Sequence, residues 1–193
     1  MGKNIQEIID TAYTNGFHAE QQYRGCAQCV ISAMQDALGV KNDAIYQAGS
    51  ALAGGGAECG DGSCGSYAGG LMMISAFFGR SRAEEANQTG RKAKYDSFRL
   101  GSAFHDKFVE TYGTVICRDV HKKLFGRSFD LRNDEDKQQF REAGAHEDDD
   151  KCCAVVGNGA KWATEIILHE LTAQGMSVAD FYFQDGDRAI DPV

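Results

Sequence analysis

A chain of 193 residues, 42% hydrophobic and 25% charged, has ordinary globular proportions and can bury a real core, which excludes wholesale disorder. Its formal charge of -8, from 28 acidic against 20 basic residues, offers no broad positive field to neutralise phosphates, so nucleic acid is excluded as the main partner. The N-terminus lacks a basic segment followed by an apolar run and a cleavage site. The most apolar stretch, Leu71 to Phe78, is also well short of the roughly 18 residues a membrane span needs, so a cytoplasmic location with no membrane partner is expected.

Along the chain, Ile5, Ile8, Ile9, Ala12 and Tyr13 recur at spacings of three and four and predict a helix over residues 3–14, closed by Asn15-Gly16. A second helix starts near Cys26, carries Val30, Ala33, Met34, Ala37 and Leu38 on its core stripe, and ends at Gly39. Asn42 or Asp43 can cap a third, running through Ala53 into Gly54-Gly55-Gly56. Residues 65–78 are apolar on nearly every face, as a buried central helix would be. From Arg80 to Tyr112 the aromatic spacing favours helix over much of the stretch, with Gly90 and Gly101 as interruptions. A short helix over 118–125 follows Cys117 and stops at Gly126. Residues 127–151 are charge-rich and weakly periodic and read as an exposed excursion. Helical periodicity returns from Ala160 to Leu171, and the last twenty residues predict a weak helix and a polar tail. With no alternating strands and no internal repeat, the expected fold is all-α: a compact helical bundle with a glycine-rich cysteine loop, in one domain over residues 1–193.

The chemistry concentrates at seven cysteines: Cys26, Cys29, Cys59, Cys64, Cys117, Cys152 and Cys153. An odd count cannot pair internally, and in a reducing cytosol clustered cysteines act as ligands or redox thiols more often than as disulfides. Cys26-Ala27-Gln28-Cys29 is a CxxC at a predicted helix start, where terminal amides and the dipole would stabilise a thiolate. By itself the motif is unspecific, and it lacks the βαβ setting of a thioredoxin-like site. The stretch from Gly54 to Gly65 holds six glycines around Cys59 and Cys64, so backbone amides can approach an anionic group closely. It lacks the Gly-Lys-Ser/Thr ending of a phosphate loop. Cys117 alone reads as a buried thiol more readily than as a ligand. His121 could share a helical face with it, but beside Lys122 and Lys123 it is expected to be exposed. Cys152 and Cys153 follow four acidic residues, and at most one of the two can serve as a ligand equivalent to the others. No HExxH, CxxCH or GxSxG occurs, so no catalytic residue is assigned.

Taken in order, a Cys-Ala-x-x-Val helix, a Gly-Gly-Gly turn, Cys64-Gly65-Ser66-Tyr67-Ala68-Gly69, a later Cys117-Arg118 and a final cysteine before a helix resemble the C-GCAxxG-C-C family of redox-active proteins, over about residues 25–171. Ser66 stands where the family usually has alanine, and Cys29, Cys59 and Cys153 are additional thiols. The family is similar to the non-haem part of split-Soret cytochromes, which implies an iron–sulfur cluster and leaves room for a homodimer. Carried over, the resemblance places metal ligands at Cys26, Cys64, Cys117 and Cys152. It also has the glycine loop, through Gly55, Gly56 and Gly65, donate backbone hydrogen bonds to sulfur. The leading expectation is electron transfer through such a cluster to an unidentified redox partner protein. Two alternatives stand beside it: thiol–disulfide exchange using Cys26/Cys29 or Cys59/Cys64, and a structural zinc site.

Overall fold

The computed structural model describes residues 4–180, and within them the chain is all-α: nine α-helices and no strand. α1 spans Ile5–Gln22, α2 Cys26–Leu38, α3 Asp43–Ala48, α4 Gly65–Phe78 and α5 Arg82–Ala86. α6 spans Arg91–Tyr112, α7 Cys117–Phe125, α8 Asp134–Glu142 and α9 Cys152–Ala173. α9 packs against α1, α2, α4 and α6, and α4 lies between α2 and α6. The common core includes fully buried Ile31, Met34, Met73, Ile74, Phe104, Phe108 and Ile167. The uniformly apolar α4 sits centrally, as its composition predicts, and Tyr67 stacks on Phe104 with ring centroids 5.3 Å apart.

α1 begins with a capping box, in which Asn4 accepts from the Glu7 amide while Glu7 accepts from the Asn4 amide. It does not end at Asn15-Gly16. Gly16 lies inside the helix against α9, where an added Cβ would meet the Val156 carbonyl oxygen at 3.1 Å and the Ala160 Cβ at 3.2 Å. The glycine serves close helix packing, and the extra turns carry Glu20 towards the cysteines. Asn42 does cap α3, but the helix stops at Ala48 and a short 3-10 turn, Ser50–Leu52, replaces the expected continuation to Ala53. Between Arg80 and Tyr112 the chain breaks at left-handed Gly90 and continues unbroken through Gly101. The final helix starts earlier than its periodicity suggests, at Cys152. Of the last twenty residues, Val178–Asp180 form a 3-10 turn, and the expected tail from 181 onward lies outside the described residues.

Residues 127–151 are not an exposed excursion. They contain α8 and bury Phe129, Leu131, Phe140 and Ala145 in a second, smaller apolar cluster, backed by Phe125 and Cys152. The four apolar side chains are diluted among charges that face solvent, which hides them from any periodicity measure. Folded in this way, the segment forms a cover over the starts of α2, α7 and α9. No helix among the described residues is long and apolar enough to cross a membrane.

Candidate functional site

The loop after α3 builds one wall of the site. Five successive residues, Gly54 to Glu58, have φ between 47° and 81°, a left-handed turn that only its glycines adopt without strain. The turn is tied down by Gly60 N–H donating to the Gly54 carbonyl and Gly62 N–H donating to that of Gly55. It is then clasped to α7. The Cys117 amide donates to Gly62 O at 3.0 Å, the Arg118 amide to Gly60 O at 2.8 Å, and the Cys64 amide to Val115 O at 2.7 Å. These bonds set Cys64, just before α4, beside Cys117, the first residue of α7.

Cys26 opens α2 and Cys152 opens α9, and both face the same space. The four thiols line one partly open cavity of about 290 Å³, whose other walls include Glu20, Gly54, Val120, His121, Leu131, Phe140, His146, Val155 and Val156. Arg24, Arg141 and a Lys137–Glu58 ion pair at 2.6 Å also line it. Among the described residues, no three His, Cys, Asp or Glu side chains form a group that could hold a metal ion. The thiols surround a volume instead.

Glycines set the distances. An added Cβ on Gly65 would fall 2.3 Å from the Cys26 sulfur, and one on Gly55 would fall 2.8 Å from the Cys117 Cβ. Gly55 and Gly65 thus stand directly behind two of the cysteines, while the cavity wall itself is Gly54; Gly56 has nothing within 4 Å of its Cβ position. Backbone amides of Gly54 and Ala27 are directed at the Cys26 sulfur, and those of Ser66 and Tyr67, in the first turn of α4, at the Cys64 sulfur.

Burial outweighs those amides. Desolvation raises Cys26 and Cys152 well above the ordinary thiol range and pushes Cys64 and Cys117 up to about 12. Cys26 and Cys152 are partly exposed as residues, but their thiol groups are enclosed. The helix-start thiolate expected at Cys26 is therefore not the resting form. The other three cysteines do not line the cavity. Cys29 donates to the Arg24 carbonyl at 3.1 Å, Cys153 to that of His146 at 3.5 Å, and exposed Cys59 to that of Ala57 at 3.6 Å. Neither exchange pair, Cys26/Cys29 nor Cys59/Cys64, thus has both members on this wall.

Three side chains complete the cavity. His121 is buried rather than exposed. Its ring stacks on Phe140 at 4.8 Å, its Nε2 lies 3.7 Å from the Cys117 sulfur, and its Nδ1 has no partner. His146 Nδ1 is also unpartnered and lies 3.6 Å from Glu20 Oε1, too far for a hydrogen bond. Burial lowers both histidines to about 4 and raises Glu20 to about 7, so this contact is not a fixed ion pair at neutral pH. Glu20 and His146 carry no motif, and no sequence signal marks either as buried.

A family model described as "Putative redox-active protein (C_GCAxxG_C_C)" matches residues 25–166, well over half the chain. No curated protein and no solved structure matches.

Proposed function

Because the chain belongs to the C_GCAxxG_C_C family, whose members are described as redox-active, we propose that Cys26, Cys64, Cys117 and Cys152 hold an iron–sulfur cluster and that the protein carries electrons for a partner protein. The observation behind this reading is that four thiols, brought from the starts of α2, α4, α7 and α9, line one cavity of about 290 Å³ that the three other cysteines do not reach. A bound cluster supplies one-electron chemistry. A single zinc ion instead needs its donors roughly 2.3 Å from one point, which thiols spaced around a volume suit less well than a group with several irons.

The chain's own groups fit such an occupant. Metal binding relieves the penalty that keeps these buried thiols protonated, since the ligand form of cysteine is the thiolate. The amides at Cys26 and Cys64 offer hydrogen bonds to sulfur, which tune a cluster's potential. Val120, Leu131, Phe140, Val155 and Val156 restrict water around the site. A cytoplasmic setting, where thiols stay reduced until loaded, agrees with this use of cysteine.

Anaerobic reconstitution with ferrous iron and sulfide tests the reading. The expected product is a brown protein with iron and acid-labile sulfide in comparable amounts, lost in Cys64→Ala and in Cys117→Ala and kept in Cys59→Ala. A colourless product, zinc without sulfide, or full loading without Cys117 would sink it.

A further inference from the structure

Glu20 is the one buried carboxyl in the cavity wall, with 5% of its side chain exposed, and its Oε2 has no hydrogen-bond partner. The other carboxyl there, Glu58, is partly exposed and already paired with Lys137. A buried carboxyl without a full set of partners is costly to the fold and calls for a reason. We propose that Glu20 is the proton acceptor of this redox site, taking a proton from solvent whenever the group in the cavity gains an electron and releasing it on oxidation. The inference rests on the cavity being the redox centre proposed above.

Glu20 stands six residues ahead of Cys26. Its polar neighbours are the Cys29 thiol and His146, neither of them a proposed ligand. Just past the end of its helix, Arg24 offsets part of its charge. α2 presents Cys26 and Cys29, the start of α4 presents Cys64, and α7 presents Cys117 and His121. The segment leading into α9 presents Arg141, His146 and Glu147, and α9 itself presents Cys152 and Cys153. Adding one electron makes this enclosure one unit more negative, which favours protonation of every group in it. Position and chemistry single out Glu20: it is the buried carboxyl of this wall, its Oε2 has no partner, and burial already raises it above the ordinary carboxylate range, whereas the thiols are protonated or are ligands and burial disfavours the charged form of both histidines. The step balances: the electron comes from a one-electron reductant, the proton from solvent, and carboxylate becomes carboxylic acid with no net change in charge.

The test is a redox titration of the anaerobically loaded protein with dithionite between about pH 5.5 and 9. The potential should fall with rising pH with a slope approaching about 59 mV per pH unit, the value for one proton per electron, and level off where Glu20 is protonated, or ionised, in both redox states. Glu20→Gln, which keeps shape and removes the titration, should leave the potential flat across the range. Infrared difference spectra of the unloaded protein give a second readout: a carboxylic C=O band present at pH 6, lost towards pH 8 and absent from Glu20→Gln. A protein that loads no redox group overturns both this inference and the function it rests on. A loaded protein whose potential ignores pH, a variant that keeps the slope, or a missing infrared band overturns the proton role alone.

Discussion

The Ser66 hydroxyl is fully buried and donates to the Val155 carbonyl at 2.7 Å, a bond from α4 to α9. A carbonyl in a helix has a second lone pair to offer, so the bond adds to the α9 ladder without competing with it. Ser66→Ala should lower unfolding stability by about 1 kcal/mol, read from urea denaturation; an unchanged midpoint would mean that the bond contributes nothing. The cysteines around this contact could be read from sequence because residue type, order and glycine spacing coincide. His121 was hidden by Lys122 and Lys123, but adjacent residues on a helix face different ways, and the neighbour that matters is Cys117, one turn back. Glu20 and His146 could not be read at all. A lone acid on α1 and a histidine beside an acidic run have the composition of surface, and only tertiary packing buries them.

Helices were legible wherever a periodic stripe or a terminating glycine marked them, as at Gly39 and Gly126, both left-handed at their helix ends. Glycine misleads where it serves packing: Gly16 lies within α1 because α9 passes within reach of its missing Cβ. Gly65 has the same character at the site, since any side chain there must displace the Cys26 sulfur. Gly65→Ala should therefore destabilise the fold by about 1–3 kcal/mol through overpacking, and should cut loading of the proposed cluster well beyond what that loss explains. Thermal unfolding and the iron content after reconstitution measure the two effects. A stable variant that loads normally would show that α2 and α4 can separate freely at this point. The cover formed by residues 127–151 went unseen for a different reason: it buries few side chains, in a small cluster of their own from which Leu131 and Phe140 reach the cavity, rather than along a helix face.

For the molecule as a whole, the buried ionisable groups shape stability against pH in opposing directions. His121 and His146 bind protons in the unfolded chain near 6.5 but in the native fold only near 4, so they raise stability as pH climbs through that window and cost it as pH falls. Glu20 does the reverse: its native value near 7 lies above the ordinary 4.5, so the native state holds the extra proton and stability declines with rising pH between the two. Two protons against one leave a net rise of at most about 1.4 kcal/mol per pH unit between 4.5 and 6.5, a plateau near neutrality, and a fall above about 9 as unfolded thiols ionise while buried ones do not. Denaturation curves for the unloaded protein across this range should show that profile, and Glu20→Gln should steepen its acid arm. A profile that already declines between pH 5 and 6 would contradict the burial assigned to the histidines.

Cys26 leaves the ribosome more than a hundred residues ahead of Cys152, yet they share one wall. Until α9 emerges and docks, a growing chain presents three of these thiols with neither roof nor fourth corner, at the stage when stray oxidants and adventitious metals can reach them most easily. Loading of the proposed cluster would thus be timed by synthesis: such a cluster can be filled correctly only after the chain has folded, and its maturation is expected to follow translation rather than accompany it.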